Sequence, residues 1–167
     1  MKVKREERSN TFCGPAALSL ITGKHVDECV KEVHAYRNLC KDPDCCDPAL
    51  RSVRGMSNTE MLRVLLNMKH QNTPVSSLFG YDTSSLKENP TLVTFMRWLK
   101  RQGRWDAKKV YLLNTTGHYV VMKGIKLFDN RNPEGVFFGK YNRRRVRVKY
   151  AWEVRKASCP VPSGSCR

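Results

Sequence analysis

Seven cysteines occur in the chain, and one of them stands where a thiol becomes a nucleophile. Cys13 is followed by Gly14 and Pro15 and then by the apolar run Ala16, Ala17, Leu18, Leu20 and Ile21. Proline is tolerated in the first turn of a helix, where its missing N–H is not required. Gly23 is suited to ending one. The spacing therefore predicts a buried helix with Cys13 at its N-terminal mouth. Unsatisfied backbone N–H groups and the helix dipole favour thiolate at that position. The same N–H groups can stabilise an oxyanion once the thiolate attacks a carbonyl.

A nucleophile needs a base within hydrogen-bond reach, and His118 is the strongest candidate among four histidines, placed after Gly117 at the start of an apolar run. Asp129 falls at the far end of the next short run. A tight turn around Lys123 and Gly124 would bring its carboxylate beside His118, fix the ring tautomer and stabilise the imidazolium. Asn130 is the alternative orienting group. His25, His34 and His70 are expected to be surface or packing residues.

The remaining thiols give a poor metal pattern. Cys29, Cys40, Cys45 and Cys46 are spaced by eleven, five and one, whereas tetrahedral zinc is commonly held by two short Cys-x₂₋₄-Cys pairs. No metal and no cofactor are expected, and Cys159 and Cys166 are left as tail thiols. A different feature could bind a polyanion. Lys140, Arg143, Arg144, Arg145, Arg147, Lys149, Arg155 and Lys156 fall within 17 residues, interleaved with Tyr141, Tyr150 and Trp152. Arginines on phosphates and aromatic rings on bases would hold nucleic acid this way. The bland alternative is a solvated hairpin face with Val146 and Val148 turned inward.

The elements that must position these groups follow from periodicity. A second helix fits Val26 to Tyr36, with Val26, Cys29, Val30 and Val33 at helical spacing. A third is announced by the capping-box pair Ser57 and Glu60, followed by Met61, Leu62, Leu65 and Leu66. Asn72 to Asn89 is polar and is expected to be irregular. A fourth helix begins near Asn89 and Pro90, shows Leu92, Phe95, Met96 and Leu99 on one face, and ends at Gly103. Short β-branched runs follow at 110–113, 118–122, 125–128, 136–138 and 146–154. Helices first and strands second predict an α+β domain, with N-terminal helices packed on a C-terminal antiparallel sheet. The expectation is one domain over residues 1–156 and a loose tail over 157–167.

Size and composition bound the rest. The 167 residues are 40% hydrophobic and 28% charged, which suits one globular domain and argues against collagen-like, coiled-coil or wholly disordered chains. No apolar run reaches the roughly 18 residues of a membrane span, and the charged first ten residues show no secretory pattern. An intracellular, reducing compartment is therefore expected, with no membrane partner. The 31 Lys and Arg against 15 Asp and Glu give a net charge of +16, which favours an acidic or polyanionic partner.

Four segments together resemble a family. They are Cys13-Gly14-Pro15-Ala16-Ala17-Leu18, Gly55-Met56-Ser57-Asn58-Thr59-Glu60-Met61-Leu62, Gly117 to Gly124 (Gly-His-Tyr-Val-Val-Met-Lys-Gly), and Phe128-Asp129. They look like the papain-like cysteine peptidases related to the bacteriocin-processing peptidases that cleave double-glycine leaders. The resemblance runs from about Phe12 to Gly135. It implies a papain-like fold, a Cys13 nucleophile, a His118 base, an Asp129 orienter and thiol-dependent cleavage of a peptide or isopeptide bond. The resembled family carries a Gln about two turns before the nucleophile as an oxyanion donor. Glu7 stands near that position here, and its carboxylate would repel an oxyanion, so Asn10, the nearest amide, is the candidate donor. A phage, mobile-element or bacterial protein acting in the bacterial cytoplasm on a protein or peptide fits this pattern. Two competing functions share the features. One is a glutamine deamidase or acyl transferase using the same thiol. The other is a silent papain-like scaffold that binds nucleic acid or an acidic protein through Arg143, Arg144, Arg145, Arg147 and Lys149.

Overall fold

The structure is a computed structural model that describes residues 13–39, 55–75 and 89–157. Asn10, Glu7, Cys40, Cys45, Cys46, Cys159, Cys166 and the tail beyond Ala157 lie outside the described residues. Among those described, four α-helices and a six-stranded antiparallel sheet form an α+β arrangement. The helices are α1 (Cys13–Thr22), α2 (Val26–Leu39), α3 (Asn58–Asn67) and α4 (Leu92–Arg101). The strands are β1 (His70–Pro74), β2 (Val110–Thr115), β3 (His118–Lys123), β4 (Lys126–Phe128), β5 (Val136–Phe137) and β6 (Val148–Lys156). Their order across the sheet is β1-β6-β2-β3-β4-β5.

Local sequence explains most helix boundaries. Gly23 ends α1 at a φ of 76°, a left-handed conformation that glycine adopts without steric cost. The Ser57 side chain accepts from the Glu60 N–H while Glu60 accepts from the Ser57 N–H, so both halves of the capping box are present. Thr91 caps α4 by accepting from the Thr94 N–H, so the helix starts at Leu92, just past Asn89 and Pro90. α2 continues past Tyr36 to Leu39, about one turn beyond the expected end.

The sheet is covered on both faces. On one face α1, α2 and α3 bury Leu18, Leu20, Cys29, Val33, Met61 and Leu65 against Leu112, Val121, Trp152 and Val154. The alternate residues of the same strands, among them Tyr111, Leu113, Val120 and Met122, pack with Leu92, Phe95, Trp98 and Leu99 of α4. Strand side chains alternate between faces, so β2 and β3, buried on both, are nearly continuous apolar runs.

Three expectations need correction. Asn72 to Pro74, the start of the stretch expected to be irregular, belong to a strand from His70, because pairing with β6 supplies the strand order, while residues 76–88 of that stretch lie outside the described residues. Helices do not all precede strands, because β1 comes before α4. The final strand begins at Val148, not Val146, and lies between β1 and β2 rather than closing a hairpin. Residues 141–147 are instead a turn tied to residues 89–93 by backbone hydrogen bonds, from Leu92 N–H to Val146 O (3.0 Å) and from Val148 N–H to Pro90 O (2.7 Å).

Candidate active site

α1 and β3 bring Cys13 and His118 together. His118 opens β3 directly after a two-residue turn, Thr116-Gly117, in which Gly117 has a φ of 69°. Positive φ there is cheap only for glycine. The Thr115 hydroxyl donates to the His118 carbonyl at 2.9 Å, which pins the backbone at His118. The imidazole is 8% exposed and its Nε2 lies 3.2 Å from Asp129 Oδ2. His118 also hydrogen-bonds the Cys13 side chain. With Nε2 engaged by Asp129, Nδ1 is the nitrogen left to face the thiol. Cys13 is free and partly exposed at the mouth of its helix.

Asp129 follows β4, which the Lys123–Lys126 turn folds back antiparallel onto β3, as the spacing predicts. Its side chain is fully buried and its carboxylate is saturated with donors. Oδ1 accepts from the Arg131 N–H (3.0 Å), the Asn132 N–H (2.7 Å) and Asn132 Nδ2 (2.9 Å). Oδ2 accepts from the Tyr141 hydroxyl at 2.8 Å, besides facing His118. Asn130, the alternative orienting group, makes no such contact, and its Oδ1 is buried without a hydrogen-bond partner.

The charges within this chain of groups are biased one way. Burial works against thiolate at Cys13, but hydrogen bonds from His118 and the Tyr119 backbone, with the His118 charge, hold the thiol below its ordinary range. Burial likewise opposes the imidazolium, yet Asp129 and Cys13 outweigh it and push His118 up to about 9. Asp129 overcomes its own desolvation through His118, Tyr141 and Asn132 and stays well below the usual carboxylate range. Burial and the adjacent Asp129 carboxylate keep the Tyr141 hydroxyl protonated, a donor throughout. The two ends of His118 thus favour an imidazolium between two anions.

Polar groups beside Cys13 extend the site. The Tyr119 hydroxyl lies 2.9 Å from Asn58 Oδ1 and 3.1 Å from the Met56 carbonyl, and Asn114 Nδ2 also donates to Asn58 Oδ1. Burial pushes this tyrosine up to about 12, with the Cys13 charge adding to it. The cluster joins the start of α3 to the sheet next to the thiol.

No family model, curated protein or solved structure matches this chain. The site therefore stands on its own geometry.

The other sequence candidates divide clearly. Cys29 is a buried core thiol, pushed up to about 11 by desolvation, and no cluster of His, Cys, Asp and Glu among the described residues could hold a metal. His70 is buried, with Nδ1 2.8 Å from the Met68 carbonyl, and His25 Nδ1 accepts from the Asp27 N–H at 3.3 Å. Arg144, Arg145, Arg147 and Lys149 are exposed and Arg143 is half-buried. Of the aromatic rings expected to stack on a ligand there, Tyr141 and Trp152 are buried, because one serves Asp129 and the other the core. Tyr150 alone of the three is open, at 55% exposure. Asn10 lies outside the described residues, so the second oxyanion donor rests on the sequence. No helix among the described residues is long and apolar enough to cross a membrane.

Sequence reasoning missed Tyr141, Asn132, Asn58 and Asn114. Asn132 carried a local signal, since Asp129-Asn130-Arg131-Asn132-Pro133 has the composition of an Asx turn. Tyr141 carried none, because its twelve-residue return to Asp129 depends on how β5 and the following turn fold.

Proposed function

We propose that this chain is a cysteine hydrolase of amide bonds with a papain-like arrangement of Cys13, His118 and Asp129. One observation carries the reading: a single buried imidazole bridges a helix-mouth thiol and a carboxylate fixed by four further hydrogen bonds. Such a carboxylate holds the ring in one tautomer and lowers the free energy of its protonated form. The Cys13 thiolate attacks the carbonyl carbon of a peptide or isopeptide bond. The oxyanion is held by the backbone N–H of Cys13, with Asn10 as the second donor in this reading. His118 then gives its proton to the departing nitrogen, and a thioester forms on Cys13. Water, losing a proton to His118, hydrolyses the thioester and restores the thiol. No cofactor is required.

The test is the pH dependence of Cys13 alkylation by iodoacetamide, resolved by peptide mass spectrometry, in wild type and His118→Ala. An apparent pKa well below the free-thiol value of about 8.5, lost in His118→Ala, is the expected result. Ordinary, slow alkylation indifferent to His118 would leave the reaction without its nucleophile. Given an activated thiol, analysis of the products on a peptide substrate separates hydrolysis, which releases a new N-terminus, from deamidation, which releases ammonia, and from acyl transfer, which gives a conjugate.

A further inference from the structure

The half of the molecule that carries His118 and Asp129 is strongly unbalanced in charge. Residues 89–157 contain 17 Lys and Arg and four Asp and Glu. Two of those four acids, Asp129 and Glu153, are buried and already engaged, by the site and by Lys109. The densest positive stretch is the turn before β6 and the first residues of that strand. None of Arg143, Arg144, Arg145, Arg147 and Lys149 forms an ion pair with a carboxylate of the described residues.

A solvated face needs no fixed geometry, yet this turn is held on several sides. Tyr141 anchors its start through the hydroxyl bond to Asp129. Val93 N–H donates to Arg144 O, Leu92 N–H to Val146 O, and Thr91 and Arg147 form a β-bridge. Two guanidinium groups are themselves tethered to backbone carbonyls, Arg144 to Gly139 O at 2.6 Å and Arg147 to Asn89 O at 3.1 Å. Next along the chain, an irregularity in the β2–β6 pairing leaves Lys149 opposite no residue of β2, since Asn114 faces Tyr150 and Thr115 faces Val148. Tyr150 is exposed, and its ring is braced by Trp152, with centroids 5.8 Å apart and planes 18° apart.

We infer that the 143–149 turn and Tyr150 form a binding surface for single-stranded nucleic acid. Guanidinium groups fixed at their tethers are suited to phosphate oxygens, which they meet in a planar fork. A braced, open aromatic ring is a stacking platform, and bases present free faces only when unpaired. An acidic peptide would satisfy the arginines but gives no role to Tyr150. The inference is independent of the hydrolase reading, because neither Cys13 nor His118 takes part.

The experiment is fluorescence anisotropy of the full chain with a fluorescein-labelled mixed-sequence 20-nucleotide DNA and its RNA counterpart, over a salt series. Among the described residues the side chains of Arg143, Arg145 and Lys149 have no hydrogen-bond tether, so R143Q/R145Q/K149Q removes charge and leaves the tethered Arg144 and Arg147 in place. The comparison protein, K31Q/R63Q/K108Q, loses the same charge from exposed positions elsewhere. The site variant is expected to bind about 30-fold more weakly at 100 mM salt and to show a shallower salt slope, by about two units. The comparison protein should change by no more than about threefold, and Tyr150→Ala should lose roughly tenfold. Equal losses in the two triple variants would mean that overall charge alone binds, which overturns the site. Preference for polyglutamate over the oligonucleotide, or for duplex with no effect of Tyr150→Ala, would also overturn it. A circular-dichroism melt verifies folding, and Arg145→Glu, a single exposed change, keeps the test open if the triple variant does not fold.

Discussion

Tyr141 is the residue on which the orientation of His118 hangs without being visible near it in sequence. Its hydroxyl is one of two groups on Asp129 Oδ2, the other being the imidazole. Removing it leaves that oxygen a donor short and loosens the seat of the imidazole, while the three donors on Oδ1 still hold the carboxylate. On the proposed hydrolase reading, Tyr141→Phe is expected to lower kcat about tenfold with little change in KM, since a hydrogen bond to a charged group is worth about 1.5–3 kcal/mol. A stability readout has a definite sign. Asp129 is held below its unfolded value, so its contribution exists above about pH 3.9 and disappears as pH falls through the lowered folded value. Urea unfolding should show Tyr141→Phe less stable than wild type at pH 7, with the gap closing in strong acid. A gap of constant size would assign Tyr141 to packing alone. His118 supplies the opposite limb. Its folded value of about 9 lies above the ordinary 6.5, so its contribution is complete below pH 6.5 and lost as pH passes 9. Cys13 alkylation and any hydrolysis sustained by the charged pair should accordingly change across a transition near pH 9 that is missing in His118→Ala. Cys13, His118 and Asp129 were legible because each announces its own setting: a Gly-Pro after the thiol, a glycine turn before the histidine, a short strand before the aspartate. Tyr141 and Asn114 act across distances that no local pattern encodes.

Turns and strand ends, rather than strand interiors, deliver these side chains. β4 is three residues long, and its last residue, Phe128, precedes the carboxylate. Gly135 closes the following loop at a φ of 78°, and a Cβ added there would overlap the Phe128 ring. Gly135→Ala should cost about 3 kcal/mol by left-handed strain and overpacking together, measured by urea unfolding, and should displace the Phe128–Asp129 segment. The capping box of α3 is a milder case. Ser57→Ala removes one acceptor at the helix start while Glu60 keeps its pairing with Arg37, so a loss of about 1 kcal/mol is expected. Helix positions were readable from sequence because caps and 3.6-residue periodicity are local. β1 was not, since His-Gln-Asn-Thr-Pro has no alternation of its own and becomes a strand only where β6 offers hydrogen bonds. The same limit misplaced the start of β6: Val146 and Val148 look like one strand, but Val146 belongs to the turn bonded to α4's entry.

At the scale of the whole molecule, one sheet is shared by two cores. Trp152 belongs to the core under α1–α3 and Trp98 to the core under α4. Neither core has a sheet of its own, so loss of β2 and β3 dismantles both. Urea transitions followed by Trp98 fluorescence in W105F/W152F and by Trp152 fluorescence in W98F/W105F should each match the circular-dichroism transition of the same variant. Separate midpoints within one variant would show that the two layers unfold independently. The α+β class was legible in helical runs followed by β-branched runs, but the opposite placement of α4 was not, because a helix's apolar stripe does not say which face of a sheet it covers.

The position of β6 has a consequence for how the protein is made. β1, near residue 70, has a single neighbour among the described strands, and that neighbour is the strand running to Lys156. A ribosome delivers the chain in order, so β1 waits unpaired while some seventy further residues are synthesised. β2 waits as well, with one edge open until β6 slides between them. Pairing this remote in sequence is slow to form, and an open edge invites pairing with another chain. Half-made molecules would therefore be sticky on both borders of a gap one strand wide, and the last strand to emerge is the one that seals them.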